Sequence, residues 1–278
     1  MIVAGHIHVL GVEFWTLVGI LAGVWAVIFL GPQVFGRADR GGDSKKGHVI
    51  WVEPLRWPGW AWGRYTAPRG LRAAGFEGTF EYYPWQTWWQ GLLVLPVLRR
   101  GRLAEAAATR LAQALARRRA ENPEAPLYVI AYSAGGYVAV RAMELLPPGA
   151  TVRALAICQA AMRARYDLTE AMRHVEGVTV VTASALDFVI LGAGTSLVSG
   201  SDGVRGPSMG WLGARHPAMA RLPRQRLRQI RWRAADAIEL GLFGSHLWAF
   251  SPRFIAKVLA PAMGIGTGRS DLSQKPLN

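Results

Sequence analysis

The chain has 278 residues, of which 51 % are hydrophobic and only 18 % charged, and it carries a formal net charge of +14. Its one cysteine, Cys158, excludes an intramolecular disulfide and a cysteine-rich metal site. The basic excess fits an anionic membrane surface or nucleic acid, but the sequence has no helix-turn-helix signature, zinc-finger spacing or RNP-like aromatic motif, so no nucleic-acid partner is expected.

In chain order, the first feature is a nearly uninterrupted apolar run from Phe14 to Leu30, closed by Gly31 and Pro32. With its flanks it approaches the roughly 20 residues that cross a bilayer. No Lys or Arg precedes it, which argues against a secretory signal peptide. Arg37, Arg40, Lys45 and Lys46 follow it, so the positive-inside rule places the rest of the chain in the cytoplasm. Residues 1–35 therefore read as a single-pass membrane anchor, with an interfacial or buried helix as the alternative. Residues 36–47 read as a polar linker.

Beyond the linker, short β-type apolar runs alternate with helical patterns. Strands are expected at His48–Glu53, Gly78–Tyr83, Leu127–Tyr132, Val152–Cys158, Val178–Thr182 and Leu227–Arg233. Helical spacing marks Leu103–Ala120, with the Arg117–Arg119 cluster where cations suit the dipole, and residues 135–146, stopped by Pro147, Pro148 and Gly149. This rhythm predicts an α/β fold: a mostly parallel six-stranded sheet with helices on both faces, preceded by one N-terminal transmembrane helix. The expected domain runs over 48–263, with residues 188–226 as a possible lid and 264–278 as a flexible tail.

The third strand ends in Ala131-Tyr-Ser-Ala-Gly135 and leads into a helix. A serine on a sharp strand-to-helix turn sits in a strained conformation and needs small neighbours two positions away, which Ala131 and Gly135 supply. The turn projects Ser133 Oγ above the sheet and aims the Ala134 N–H where an acyl oxyanion would form. Such a nucleophile requires an acid after a later strand and a histidine after the last one. Asp187 follows the fifth strand, and His246 lies in a late loop flanked by Gly241 and Gly244. Asp202, in a turn-like Ser-Asp-Gly, and Asp236 are rival acids. Among the six histidines only His246 combines a late loop position with glycine flanks.

These residues resemble the α/β-hydrolase superfamily, in particular small lipase- or esterase-like members with an Ala-x-Ser-x-Gly elbow. The resemblance covers roughly residues 47–262 and includes Val49-Ile-Trp-Val-Glu-Pro-Leu55, in the place of the first core strand and oxyanion loop. It implies acyl transfer with Ser133 as nucleophile, His246 as general base and Asp187 as its orienting acid. The backbone N–H groups of Ala134 and Leu55 would form the oxyanion hole, since Pro54 has none to give. No cofactor and no metal are implied. Trp57, Trp60, Trp62, Trp85, Trp88 and Trp89 offer either an apolar acyl pocket or ordinary core packing. Anchor, apolar mouth and basic flank together favour a lipid-like or long-chain ester, met at a membrane. A non-catalytic scaffold or an acyltransferase with the same triad are the alternatives.

Overall fold

The protein is represented by a computed structural model that describes residues 15–20, 22–23, 41–53, 62–86, 101–246 and 250–266. Six strands form one sheet: β1 (His48–Val52), β2 (Thr79–Tyr83), β3 (Leu127–Tyr132), β4 (Ala154–Cys158), β5 (Thr179–Ala183) and β6 (Leu227–Arg231). Their order is β2-β1-β3-β4-β5-β6 and every pairing is parallel. The expected strands are all present, with ends shifted by up to two residues. Between β1 and β4 the central strand β3 is buried throughout, as a near-continuous apolar run must be when helices cover both faces of a sheet.

The alternation of side chains along β3 divides the core. Leu127, Val129 and Ala131 face one layer with helix α2 (Gly101–Glu121) and helix α3 (Ala134–Glu144). Tyr128, Ile130 and Tyr132 face the other, with helix α1 (Trp62–Ala73) and the helical residues 252–262. On α2 the buried positions are Ala104, Ala107, Ala108, Leu111, Ala112 and Leu115, a helical stripe whose small side chains let the helix lie close to the sheet. Sequence spacing does not announce α1, because Gly63, Pro68 and Gly70 lower its helix propensity. Packing explains both glycines: a Cβ on Gly63 would lie 2.2 Å from Trp51 Nε1, and one on Gly70 2.5 Å from Ile255 Cβ.

The described residues on either side of the expected domain are partly packed against it. Residues 41–47, the described part of the expected linker, are docked rather than free. Arg72 Nη2 donates to Gly41 O at 2.7 Å, and Asp43 N donates to Glu77 O at 2.9 Å. At the other end Ile265 is buried and Gly266 lies against Ala74 O, so the expected tail begins as packed chain; residues 267–278 lie outside the described residues. Of the apolar run, residues 15–20 and 22–23 are described, helical and exposed. No helix among the described residues is long and apolar enough to cross a membrane; the rest of the expected anchor lies outside them.

Candidate active site

Three chain segments leave the C-terminal ends of β3, β5 and β6 and bring Ser133, Asp187 and His246 together. Ser133 occupies the turn between β3 and α3 at φ 52° and ψ −122°, a region that costs a non-glycine residue of order 1–3 kcal/mol. The turn is over-determined by its surroundings. Ser133 N donates to Cys158 O, while Ser133 O accepts from Gly136 N and Ala161 N, each at 3.0 Å. A Cβ on Gly135 would sit 2.4 Å from Glu53 O and 2.7 Å from Val52 O, so only glycine lets α3 start this close to the end of β1. Ala131 stands where many elbows have glycine. Its Cβ fits because it points into the α2–α3 layer, fully buried beside Val52 and Ile157.

Asp187 ends a short 3-10 turn, Ala185–Asp187, just after β5. Ser184 Oγ caps that turn by accepting from Leu186 N, and Asp187 N donates to Ser184 O. The carboxylate is buried. Burial pushes its pKa above the ordinary carboxylate range, opposed by the hydrogen bond and charge of His246 and by the Leu191 amide.

His246 arrives by a longer route. After β6 the chain forms helix α4 (Ala234–Leu240), which ends at Gly241 in the left-handed conformation. It turns again at Gly244, φ 75°, where a Cβ would lie 2.7 Å from the Trp232 ring. Trp232 Nε1 in turn donates to Leu242 O at 2.6 Å. The two glycines read from sequence as bending points are the two positive-φ residues of this loop.

The three side chains form one buried chain of hydrogen bonds. His246 Nδ1 lies 2.7 Å from Asp187 Oδ2, and His246 Nε2 lies 2.8 Å from Ser133 Oγ. Because the carboxylate can only accept, Nδ1 carries the proton and Nε2 accepts from the serine hydroxyl. This is the arrangement in which a hydroxyl loses its proton to a base as it attacks. Ala134, the first residue of α3 and fully buried, has an N–H with no acceptor inside its own helix. Leu55 and Pro54 lie outside the described residues.

The rival acids have other tasks. Asp236 Oδ2 accepts from Arg233 N at 2.7 Å and caps α4. Asp202 accepts from the Arg163 and Val204 amides and shapes its loop. Of the tryptophans, Trp85 is core: it is buried and its Nε1 donates to Glu53 O at 2.7 Å. Trp57, Trp60, Trp88, Trp89 and the Trp62 side chain lie outside the described residues.

Among the described residues, exposed apolar side chains near the triad are carried by the segment around Asp187 and by the histidine loop. Leu186, Phe188 and Val189 are 54 %, 54 % and 75 % exposed, and Phe243, three residues before His246, is 56 % exposed. Within the expected lid, residues 208–215 are tied to the loop after β4 by Met209 N to Met162 O, Gly210 N to Ala160 O and Arg215 N to Ala164 O. Two residues beside the triad escape sequence reasoning. Tyr132 and Gln159 both contact the histidine loop, through Tyr132 OH to His246 O and Gln159 Nε2 to Gly244 O at 3.4 Å. Their only sequence signal is position, at the C-terminal ends of adjacent strands, where open α/β sheets gather working groups.

No protein-family model and no curated protein matches the sequence. Among solved structures, a dienelactone hydrolase from Anabaena variabilis is similar over 81 % of this chain and 87 % of its own, with 18 % identity and a TM-score of 0.44. RedJ, with a PEG molecule bound in its active site, is similar over 55 % of this chain and 75 % of its own, with 13 % identity and a TM-score of 0.30. YbtT, the type II thioesterase of the yersiniabactin pathway, covers 73 % of this chain and 90 % of its own, with 11 % identity and a TM-score of 0.32. With its parallel six-stranded sheet, a strained serine at the turn after β3 and an acid and a histidine following later strands, the chain has the α/β-hydrolase fold.

Proposed function

We propose that the protein is a serine hydrolase that cleaves a carboxylic ester through an acyl-enzyme. The observation that carries this reading is the unbroken hydrogen-bond chain from Ser133 Oγ through His246 to Asp187. In the first half-reaction Ser133 Oγ attacks the ester carbonyl while His246 Nε2 takes its proton, and the buried Asp187 carboxylate stabilises the imidazolium. The Ala134 N–H, joined by that of Leu55, would bind the oxyanion. Collapse breaks the acyl–oxygen bond, and the departing alkoxide recovers the proton from His246. Water then attacks the acyl-enzyme with the same base, releasing the acid and restoring Ser133.

A lipid-like or long-chain acyl group is supported by the exposed Leu186, Phe188, Val189 and Phe243, carried by the same segments as Asp187 and His246. The same reading has the chain meet its substrate at a membrane, facing the cytoplasm, drawn there by its basic charge and the apolar run that begins at Phe14. Hydrolysis of a p-nitrophenyl ester series tests the proposal. kcat/KM is expected to rise with acyl length, to lose that rise in Phe188→Ser/Val189→Ser, and to fall to background in Ser133→Ala. Equal rates for acetate and decanoate would remove the long-chain assignment; undiminished turnover by Ser133→Ala would remove the hydrolase assignment.

A further inference from the structure

The histidine loop has the longest path from its strand to the site. It follows two left-handed glycines and carries a base that must hold its ring to within a fraction of an ångström of Ser133 Oγ. What fixes it is not Asp187 alone. Tyr132 is the residue immediately before Ser133, on the buried strand β3, and it touches His246 twice although 114 positions separate them. Its hydroxyl donates to the backbone carbonyl of His246. Its ring stacks on the imidazole, with centroids 5.2 Å apart and planes inclined by 27°. Phe250, in turn, meets the Tyr132 ring edge-on at 4.8 Å and 84°, so the tyrosine has little freedom to turn away.

We propose that Tyr132 is a positioning residue that sets the place of His246 from the same strand that presents Ser133, so that nucleophile and base share one rigid support. This rests on the reading of Ser133 and His246 as nucleophile and base. The carbonyl bond fixes the backbone of the loop and the stacked face fixes the plane of the imidazole. The face also lies within the range at which an aromatic ring favours a cation, and His246 becomes one only while Ser133 attacks. Gln159 also braces the loop, through Gly244 O, at a positive φ of 39° that is rare for a residue with a side chain. The phenol stays a donor throughout, because burial, and after it the charges of Asp187 and Glu53, push its pKa well above the ordinary value.

The test uses the full chain and a fluorophosphonate, separating kinact from KI. Tyr132→Phe keeps the ring and loses the hydroxyl; it is expected to lower kinact about tenfold with KI unchanged, short of the ~10²-fold that an ångström of misplacement can cost. Tyr132→Leu loses both contacts and is expected to fall further. Tyr137→Phe removes a hydroxyl that donates to Glu105 Oε1 at 2.5 Å, away from the triad, and should leave kinact unchanged. A kinact equal to wild type in both Tyr132 variants would overturn the proposal, as would an equal loss in Tyr137→Phe, which would mark a general effect of losing a buried hydroxyl. The His246 imidazole signals in an NMR spectrum give a readout that needs no activity. If wild type is not labelled, the serine-hydrolase reading fails; a His246 Nδ1–H resonance that moves or broadens in Tyr132→Phe still supports the support role, and an unmoved one refutes it.

Discussion

Ser133 holds φ 52° because its amide is bound to β4, its carbonyl to Gly136 and to Ala161 in the loop after β4, and Gly135 lies against the end of β1. Replacing it with glycine keeps every backbone contact and removes the steric cost, so Ser133→Gly is expected to be more stable by about 1–2 kcal/mol while losing all activity. Urea denaturation measures the first and ester turnover the second; a less stable Ser133→Gly would mean that the turn stores no strain. Asp187 makes the same trade by electrostatics. A carboxyl whose folded pKa lies above its unfolded one is protonated at no loss below the unfolded value of about 3.9. It then costs stability as pH rises through the folded value, because the folded protein must hold the charge against burial. Asp187→Asn is therefore expected to be more stable than wild type at pH 7, with the difference vanishing in acid, and to lose roughly 10³–10⁴-fold in acylation rate. Denaturation curves at a series of pH values decide the sign. Asp187 and His246, which the structure brings to Ser133, can be picked out in the sequence by strand order and, for His246, by its glycine flanks. Tyr132 and Gln159 cannot, since a tyrosine inside an apolar strand and a glutamine after one carry no local mark, and their role exists only once loops from distant strands converge.

At the scale of elements, the inner strands β1, β3, β4 and β5 are readable because they are buried on both faces and so appear as near-continuous apolar or β-branched runs, and α2 because alanine and leucine recur on one side. Helix α1 is hidden for the opposite reason: its glycines serve contacts with Trp51 and Ile255, which tertiary packing rewards and local propensity penalises. The start of α3 depends on Gly135 in the same way. Gly135→Ala should cost about 1–3 kcal/mol, measured by chemical denaturation, because its Cβ meets the Val52 and Glu53 carbonyls rather than a side chain that can turn. It should also slow acylation, by moving the Ala134 N–H away from the oxyanion. An Ala variant with wild-type stability would show that α3 can withdraw from β1 freely.

Over the whole molecule, part of the +14 charge serves the fold itself. Several arginines staple loop carbonyls. Arg226 reaches those of Met172, Val175, Glu176 and Gly177, and Arg119 reaches those of Pro123, Ala125 and Thr151. Composition cannot reveal such uses, because a guanidinium that binds carbonyls and one that faces water read alike in sequence. Arg226→Met is expected to cost about 2–3 kcal/mol in urea denaturation, with little dependence on salt, whereas removing a free surface charge would leave stability unchanged. These staples hold the loops that lead into β3, β4 and β5 at the N-terminal end of the sheet, opposite the end from which Ser133, Asp187 and His246 emerge. The most direct measurement on that assembled site is intact-protein mass spectrometry after exposure to a fluorophosphonate. One adduct per chain is expected, on the peptide containing Ser133, absent in Ser133→Ala and formed far more slowly in His246→Ala. No adduct on wild type, or one that persists in Ser133→Ala, would mean that the Ser133–His246–Asp187 chain of hydrogen bonds does not make a nucleophile.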